Sequence, residues 1–279
     1  MSRTGKMTYA QQVCVRTAGK VMQTSSMLFP HARVGVAVSG GVDSFVLLKV
    51  LQIRRRIVPF PFEIMAVHLN PGFDPQSHAP LSEWLADEGI ASHLEVTDYG
   101  PRGHSEENLR HSPCFYCARL RRKRLFALCE QYGLTHLAFG HTNDDLVSNF
   151  FMNLVQTGRV EGMGLHESFF GGKLRVIRPL LTVAKADIVR AGRQWGLPFF
   201  ANACPSSGKT RRTDILALVE RLCEGDKIRR KNIWNALARW QTSRALSASG
   251  IENGDFASCK DNPNEAYVGD EPLPMSEFE

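Results

Sequence analysis

Residues 34–44 read Val34-Gly35-Val36-Ala37-Val38-Ser39-Gly40-Gly41-Val42-Asp43-Ser44. Val34, Val36 and Val38 give a β-branched run that predicts a buried strand over 34–38. The glycines force a sharp turn, and Asp43-Ser44 opens an apolar helix predicted to Ile53. Paired glycines let the backbone approach a ligand closely, and the unpaired N–H groups at a helix start attract an anion. Ser39 and Ser44 add hydroxyls, while Asp43 can hold Mg2+ against phosphate oxygens. The pattern predicts a pyrophosphate site. It differs from a Walker loop in that no Lys follows the glycines.

Outward from this stretch, strands and helices alternate. Strands are expected at 63–69, 92–96, 136–139 and 175–177, and helices at 80–88, 115–132, 144–156 and 185–195. This order predicts an α/β fold, a parallel sheet covered on both faces with ligands at the carboxyl ends of its strands. Four regions are expected: an N-terminal helical arm (1–33), a nucleotide-binding α/β domain (34–200), a helical extension (201–246) and an acidic, disordered tail (247–279).

The chain has 279 residues with 43% hydrophobic content, enough for one large core. No apolar run approaches the roughly 20 residues of a membrane span. Without a signal-peptide pattern, the seven cysteines read as reduced thiols or metal ligands, and the expected setting is the cytoplasm. The net charge of +6 is unevenly spread. From Glu252 onward eight acidic residues face one Lys, leaving about +13 on the remainder. A basic body with clustered Arg119, Arg121, Arg122, Lys123 and Arg124 favours a polyanionic partner such as RNA, although a solvated helix face explains many such runs.

Cys114 and Cys117 are spaced as a Cys-x-x-Cys pair at a helix start, where thiolates are favoured. Cys204 lies in a later loop. Three readings stand together: an incidental pair and loop thiol, a structural zinc with His111 or Cys129 as fourth ligand, or an iron–sulfur cluster on three cysteines with one iron open. Cys14, Cys129 and Cys223 fall among apolar residues and are expected in the core. His68, at a strand end, is a candidate for the nucleotide pocket, and His141, Asp144 and Asp145 follow another strand.

Several segments carry a family resemblance. Ser39-Gly40-Gly41-Val42-Asp43-Ser44 and Gly140-His141-Thr142-Asn143-Asp144-Asp145 resemble the two signatures of the N-type ATP pyrophosphatase (PP-loop) superfamily. Cys114-Phe115-Tyr116-Cys117-Ala118-Arg119-Leu120-Arg121-Arg122 is similar to a segment of the tRNA 2-thiocytidine (TtcA-like) family, as are Val176-Ile177-Arg178-Pro179-Leu180 and Gly158–Met163. Two positions depart from that family: Val42 replaces its usual Lys, and Ala201 its usual earlier Cys.

The resemblance implies an adenine nucleotide alpha-hydrolase-like fold binding ATP through Ser39–Ser44, His68, Gly140, His141, Asp144 and Asp145. It implies a 4Fe-4S cluster on Cys114, Cys117 and Cys204, with Asp43 and the three cysteines catalytic. The substrate would be tRNA, thiolated at C2 of cytidine 32 and held by Arg119–Arg124 and Arg178. Sulfide or a cysteine desulfurase would supply sulfur, and a homodimer is implied as well. A nitrogen-using ligase of the lysidine-synthetase kind, or an RNA-binding protein with structural zinc, are the competing expectations.

Overall fold

The computed structural model describes residues 6–200, 203–206, 208 and 211–248. Ala201 and Asn202, Ser207, Lys209 and Thr210, and the acidic tail from 249 with its Cys259 lie outside the described residues.

The described chain forms a six-stranded sheet: β1 (Ala32–Ala37), β2 (Phe62–Asn70), β3 (Ala91–Val96), β4 (His136–Ala138), β5 (His166–Phe169) and β6 (Leu174–Ile177). Their spatial order is β3-β2-β1-β4-β6-β5. β1 lies inside the sheet, with Val36 opposite Ala66 on one side and Ala138 on the other. Val34 and Val36 are fully buried, as a strand covered on both faces requires.

The expected parallel sheet needs one correction. β5 runs antiparallel to β6, with Phe169 opposite Leu174. Its four residues, His-Glu-Ser-Phe, offer little β-branching, so no strand was legible there. Pairing arises because Phe170, Gly171 and Gly172, all at positive φ, fold the chain back onto β6.

Nine α-helices flank this sheet: α1 (Tyr9–Thr24), α2 (Val42–Arg55), α3 (Ala79–Asp87), α4 (Tyr99–Gly103), α5 (Pro113–Gln131), α6 (Asn143–Thr157), α7 (Lys185–Gln194), α8 (Arg211–Cys223) and α9 (Lys227–Ala248) among the described residues. The core is split by the sheet. Leu125, Phe126, Leu128 and Cys129 of α5 pack with Val67, Leu137 and Val176 on one face. The larger core on the other face takes residues of α1, α2, α6 and α7, and draws in Val219 of α8 and Trp234 of α9. Cys14, Cys129 and Cys223 are buried, as their apolar settings suggested.

Phe45, in α2 directly behind the glycine turn, is fully buried with its ring edge-on to Trp84 and Phe200, at 5.4 and 6.4 Å. Phe45→Ala is expected to destabilise the fold by about 3–5 kcal/mol through lost burial and a cavity. Denaturant titration measures it; a loss below about 1 kcal/mol would contradict this packing account.

Candidate nucleotide and thiol site

The glycine turn lies at the carboxyl end of β1, in the crevice where open α/β sheets place their ligands. Gly40 adopts φ +91°, and a Cβ there would strike the Phe200 ring at 2.5 Å. Gly41 is the N-cap of α2 and makes no side-chain cap. The first N–H groups of a 14-residue helix therefore face the turn with its positive dipole end. Ser44 Oγ donates to the Gly41 carbonyl at 2.8 Å and accepts from Ser39 N–H at 3.2 Å, closing the turn.

β4 delivers the second signature to the same place. A Cβ on Gly140 would lie 3.0 Å from backbone atoms of Asp43 and Ser44, so only glycine permits this close approach. Asp145 accepts from Thr142 N–H at 2.8 Å and its hydroxyl at 3.0 Å, fixing the start of α6. Asp145 and His141 line a cleft of about 810 Å³ together with Ser39, Asp43 and Ser44. His141 lies 5.5 Å from Phe139 in a stacked arrangement. Burial pushes its imidazole strongly toward the neutral form, against the pull of Asp145.

Asp43 is the centre of charge in the cleft. One oxygen pairs with Lys185 Nζ, while Oδ1 is buried without a partner. Burial raises its pKa, Lys185 opposes that rise, and Asp145 and Asp144 add to it. A buried carboxylate oxygen left unpaired beside other carboxylates suits a hard divalent cation. Lys185 was legible only as the start of a helix. Its pairing joins residues 142 positions apart, which no local pattern reveals.

Other expected residues are divided by the fold. Asp144 turns toward α9, accepting from Trp234 Nε1 at 2.6 Å with Arg230 at 3.6 Å. His68 is buried, Nδ1 lying 2.7 Å from the Val38 carbonyl; burial holds its pKa down at about 4. Its ring contacts Phe200 and His78, and its Nε2 is buried without a partner.

The basic residues of α5 do not form one solvated stripe. Arg124 makes a bidentate pair with Glu95 of β3 at 2.8–3.0 Å. Arg121 and Arg122 line the cleft, and Arg178 enters it from the end of β6, donating to the Gly164 carbonyl and Glu167 at 2.8 and 2.9 Å. Burial, then Arg178, pushes Arg122 down to about 10. Arg119 is exposed and Lys123 half-buried on the same helix. Positive charge on α5 is thus divided between the cleft, at Arg121 and Arg122, and the helix positions outside its lining.

Cys114 and Cys117 open α5, the helix whose Ala118, Arg121 and Arg122 line this cleft, with Ser112 as N-cap. The loop before α8 brings Cys204 near them. Burial raises the Cys117 thiol, Arg121 one turn on opposes that, and Cys204 and Cys114 raise it further. All three thiols are free of disulfides, with Cys117 and Cys204 half-buried. The soft donor set and adjacent guanidinium suit a thiolate-bound metal centre, and Arg121 both lines the cleft and acts on the Cys117 thiol. Among the described residues, no three His, Cys, Asp or Glu side chains enclose a single metal ion. The zinc ligands considered from sequence lie elsewhere: Cys129 is in the core, and His111 packs on Phe115 at 4.9 Å. His104, which the sequence did not single out, stands 4.0 Å from Cys204 Sγ.

Residues 11–219 match the family described as PP-loop domain. The tRNA-cytidine(32) 2-sulfurtransferase of Citrifermentans bemidjiense is 31% identical over 222 residues, covering 79% of this chain and 87% of that protein. The protein of the same name from Syntrophotalea carbinolica is 31% identical over 245 residues, covering 87% and 95%. Among solved structures, the U34-tRNA thiolase NcsA from Methanococcus maripaludis, with its 4Fe-4S cluster, superposes with a TM-score of 0.66 at 20% identity, covering 86% of each chain. That likeness is one of fold. No helix among the described residues is long and apolar enough to cross a membrane.

Proposed function

The chain belongs to the PP-loop domain family and to its tRNA-cytidine(32) 2-sulfurtransferase branch, and from that premise we propose that it thiolates cytidine 32 of tRNA at C2 at the expense of ATP. The observation that supports the reading is that Arg121 lines the cleft together with Ser39, Asp43 and Ser44 and also lies close enough to Cys117 to favour its thiolate, with Cys114 and Cys204 close to the same thiol.

The C2 oxygen of cytosine is a poor leaving group. The turn Ser39–Ser44 and the start of α2 receive the β- and γ-phosphates of ATP, directing the α-phosphorus toward the base. Asp43 would hold Mg2+, which would supply positive charge against the departing pyrophosphate. The cytosine O2 lone pair forms the new O–P bond, and the Pα–O bond breaks with its electrons passing to pyrophosphate. O2 carries no proton, so none must be removed. Hydrosulfide adds at C2 and loses its proton, and AMP departs with the C2–O electrons.

Cys114, Cys117 and Cys204 would hold the 4Fe-4S cluster, which supplies an iron able to bind the incoming sulfur. Lys185 favours the ionised form of Asp43 against the effect of its burial, and the start of α6, fixed by Asp145, shapes the opposite wall. Arg119 and Lys123 on α5 meet the tRNA backbone, while Arg121, Arg122 and Arg178 draw its phosphates toward the cleft. Sulfide or a cysteine desulfurase supplies the sulfur; a homodimer and a cytoplasmic setting accord with the same reading.

Nucleoside mass spectrometry of bulk tRNA tests the proposal. A strain lacking the protein is expected to lose 2-thiocytidine and regain it with the wild-type gene. Unchanged 2-thiocytidine would overturn the substrate assignment. Zinc without iron, together with no pyrophosphate release on adding tRNA, would favour an RNA-binding role instead.

A further inference from the structure

Arg212 stands in the first turn of α8, eight residues after Cys204, and lines the nucleotide cleft. A cation at a helix N-terminus opposes the helix dipole, so this position does not favour the helix. Its Nη1 is 3.7 Å from Asp145 Oδ1, beyond the 2.7–2.9 Å of a direct charge-assisted hydrogen bond. The side chain is 43% exposed. Its charge nevertheless reaches His141 and Arg122 across the cleft.

Two of the neighbouring cations are committed to the protein itself. Arg178 is buried and donates to Gly164 and Glu167, and Lys185 is paired with Asp43. The phosphate-binding turn itself carries no Lys. The dipole of α2, and Mg2+ if held by Asp43, would serve the leaving pyrophosphate, but attack at phosphorus also builds charge on the non-bridging oxygens of the α-phosphate. A cation that engages those oxygens as their charge develops acts selectively on the transition state.

We propose that Arg212 is that cation: a catalytic residue that turns from Asp145 onto the α-phosphate of ATP during adenylation. The proposal rests on the thiolation reading above. In the step it serves, cytosine O2 bonds to the α-phosphorus as the bond to the bridging oxygen breaks, its electron pair leaving with pyrophosphate. Arg212 keeps its proton throughout and contributes charge and two N–H donors.

The test is tRNA-dependent pyrophosphate release by the full-length, cluster-reconstituted protein and its Arg212→Gln and Arg212→Lys variants. Arg212→Gln is expected to lower kcat by about 10²–10³-fold, with KM for ATP and tRNA within about threefold and iron content unchanged. Arg212→Lys should recover part of the loss, since it restores charge without the bidentate geometry. Unchanged kcat would overturn the proposal. So would a loss confined to KM for tRNA, which marks an RNA-backbone contact, or loss of iron, which marks a structural role in the Cys204 loop. Should Arg212→Gln fail to fold, full wild-type kcat in Arg212→Lys would overturn it as well. Failure of the wild type to release pyrophosphate with tRNA would instead overturn the thiolation reading first.

Discussion

Cys117→Ala is expected to reduce tRNA thiolation to background and to remove the visible absorbance and bound iron of the reconstituted protein. Cys117 is half-buried, faces Cys114 and Cys204, and is followed one turn later by Arg121. A cluster held by three thiolates loses one iron's protein ligand when any is removed, and the remaining two cannot hold it against solvent. Adenylation does not use the thiol, so ATP binding should survive. Cys129→Ala is the contrasting variant: Cys129 lies in the core beneath α5, and its loss should lower stability while leaving iron and thiolation intact. Retention of both absorbance and activity by Cys117→Ala would refute the assignment of the three cysteines.

Asp43→Asn is expected to lower AMP formation by about 10²–10³-fold or more, the scale of losing a group that organises charge at a reacting phosphate. The substitution keeps size and one acceptor oxygen but removes the charge that pairs with Lys185 and that, on the proposed mechanism, would hold Mg2+. Lys185 is 39% exposed and can turn to water, so the lost pair costs little, and relief of a buried carboxylate oxygen without a partner offsets that cost. Activity should therefore fall without a fall in melting temperature. Binding of ATP in the presence and absence of Mg2+, followed by calorimetry, should lose its metal dependence in the variant. An Asp43→Asn protein that forms AMP at the wild-type rate would show that the metal is held elsewhere.

Strand, turn and helix at 34–53 were legible because their signals are local: β-branched residues, paired glycines and an apolar helix face lie within 20 residues. The same holds for the Gly140–Asp145 signature and the Cys-x-x-Cys pair. The antiparallel β5 was not legible, since its four residues carry weak strand preference and its pairing is imposed by the glycine turn before β6. The basic run on α5 was legible as charge, but not as two populations. Helical periodicity and the packing of α5 on β3 send Arg124 to Glu95 and bring Arg121 and Arg122 into the cleft.

Sequence alone determined the phosphate-binding turn, the α/β class, the candidate thiols and the family resemblance, because each resides in short-range residue order. Only the tertiary structure decided which charges meet. It paired Lys185 with Asp43, turned Asp144 toward Trp234 while Asp145 faces the cleft, and brought Arg212 to Asp145. The pairing partners are 142, 90 and 67 positions apart. The physical reason is that hydrogen bonds and ion pairs act over a few ångströms of space, and the sheet order β3-β2-β1-β4-β6-β5 sets which distant segments share that space.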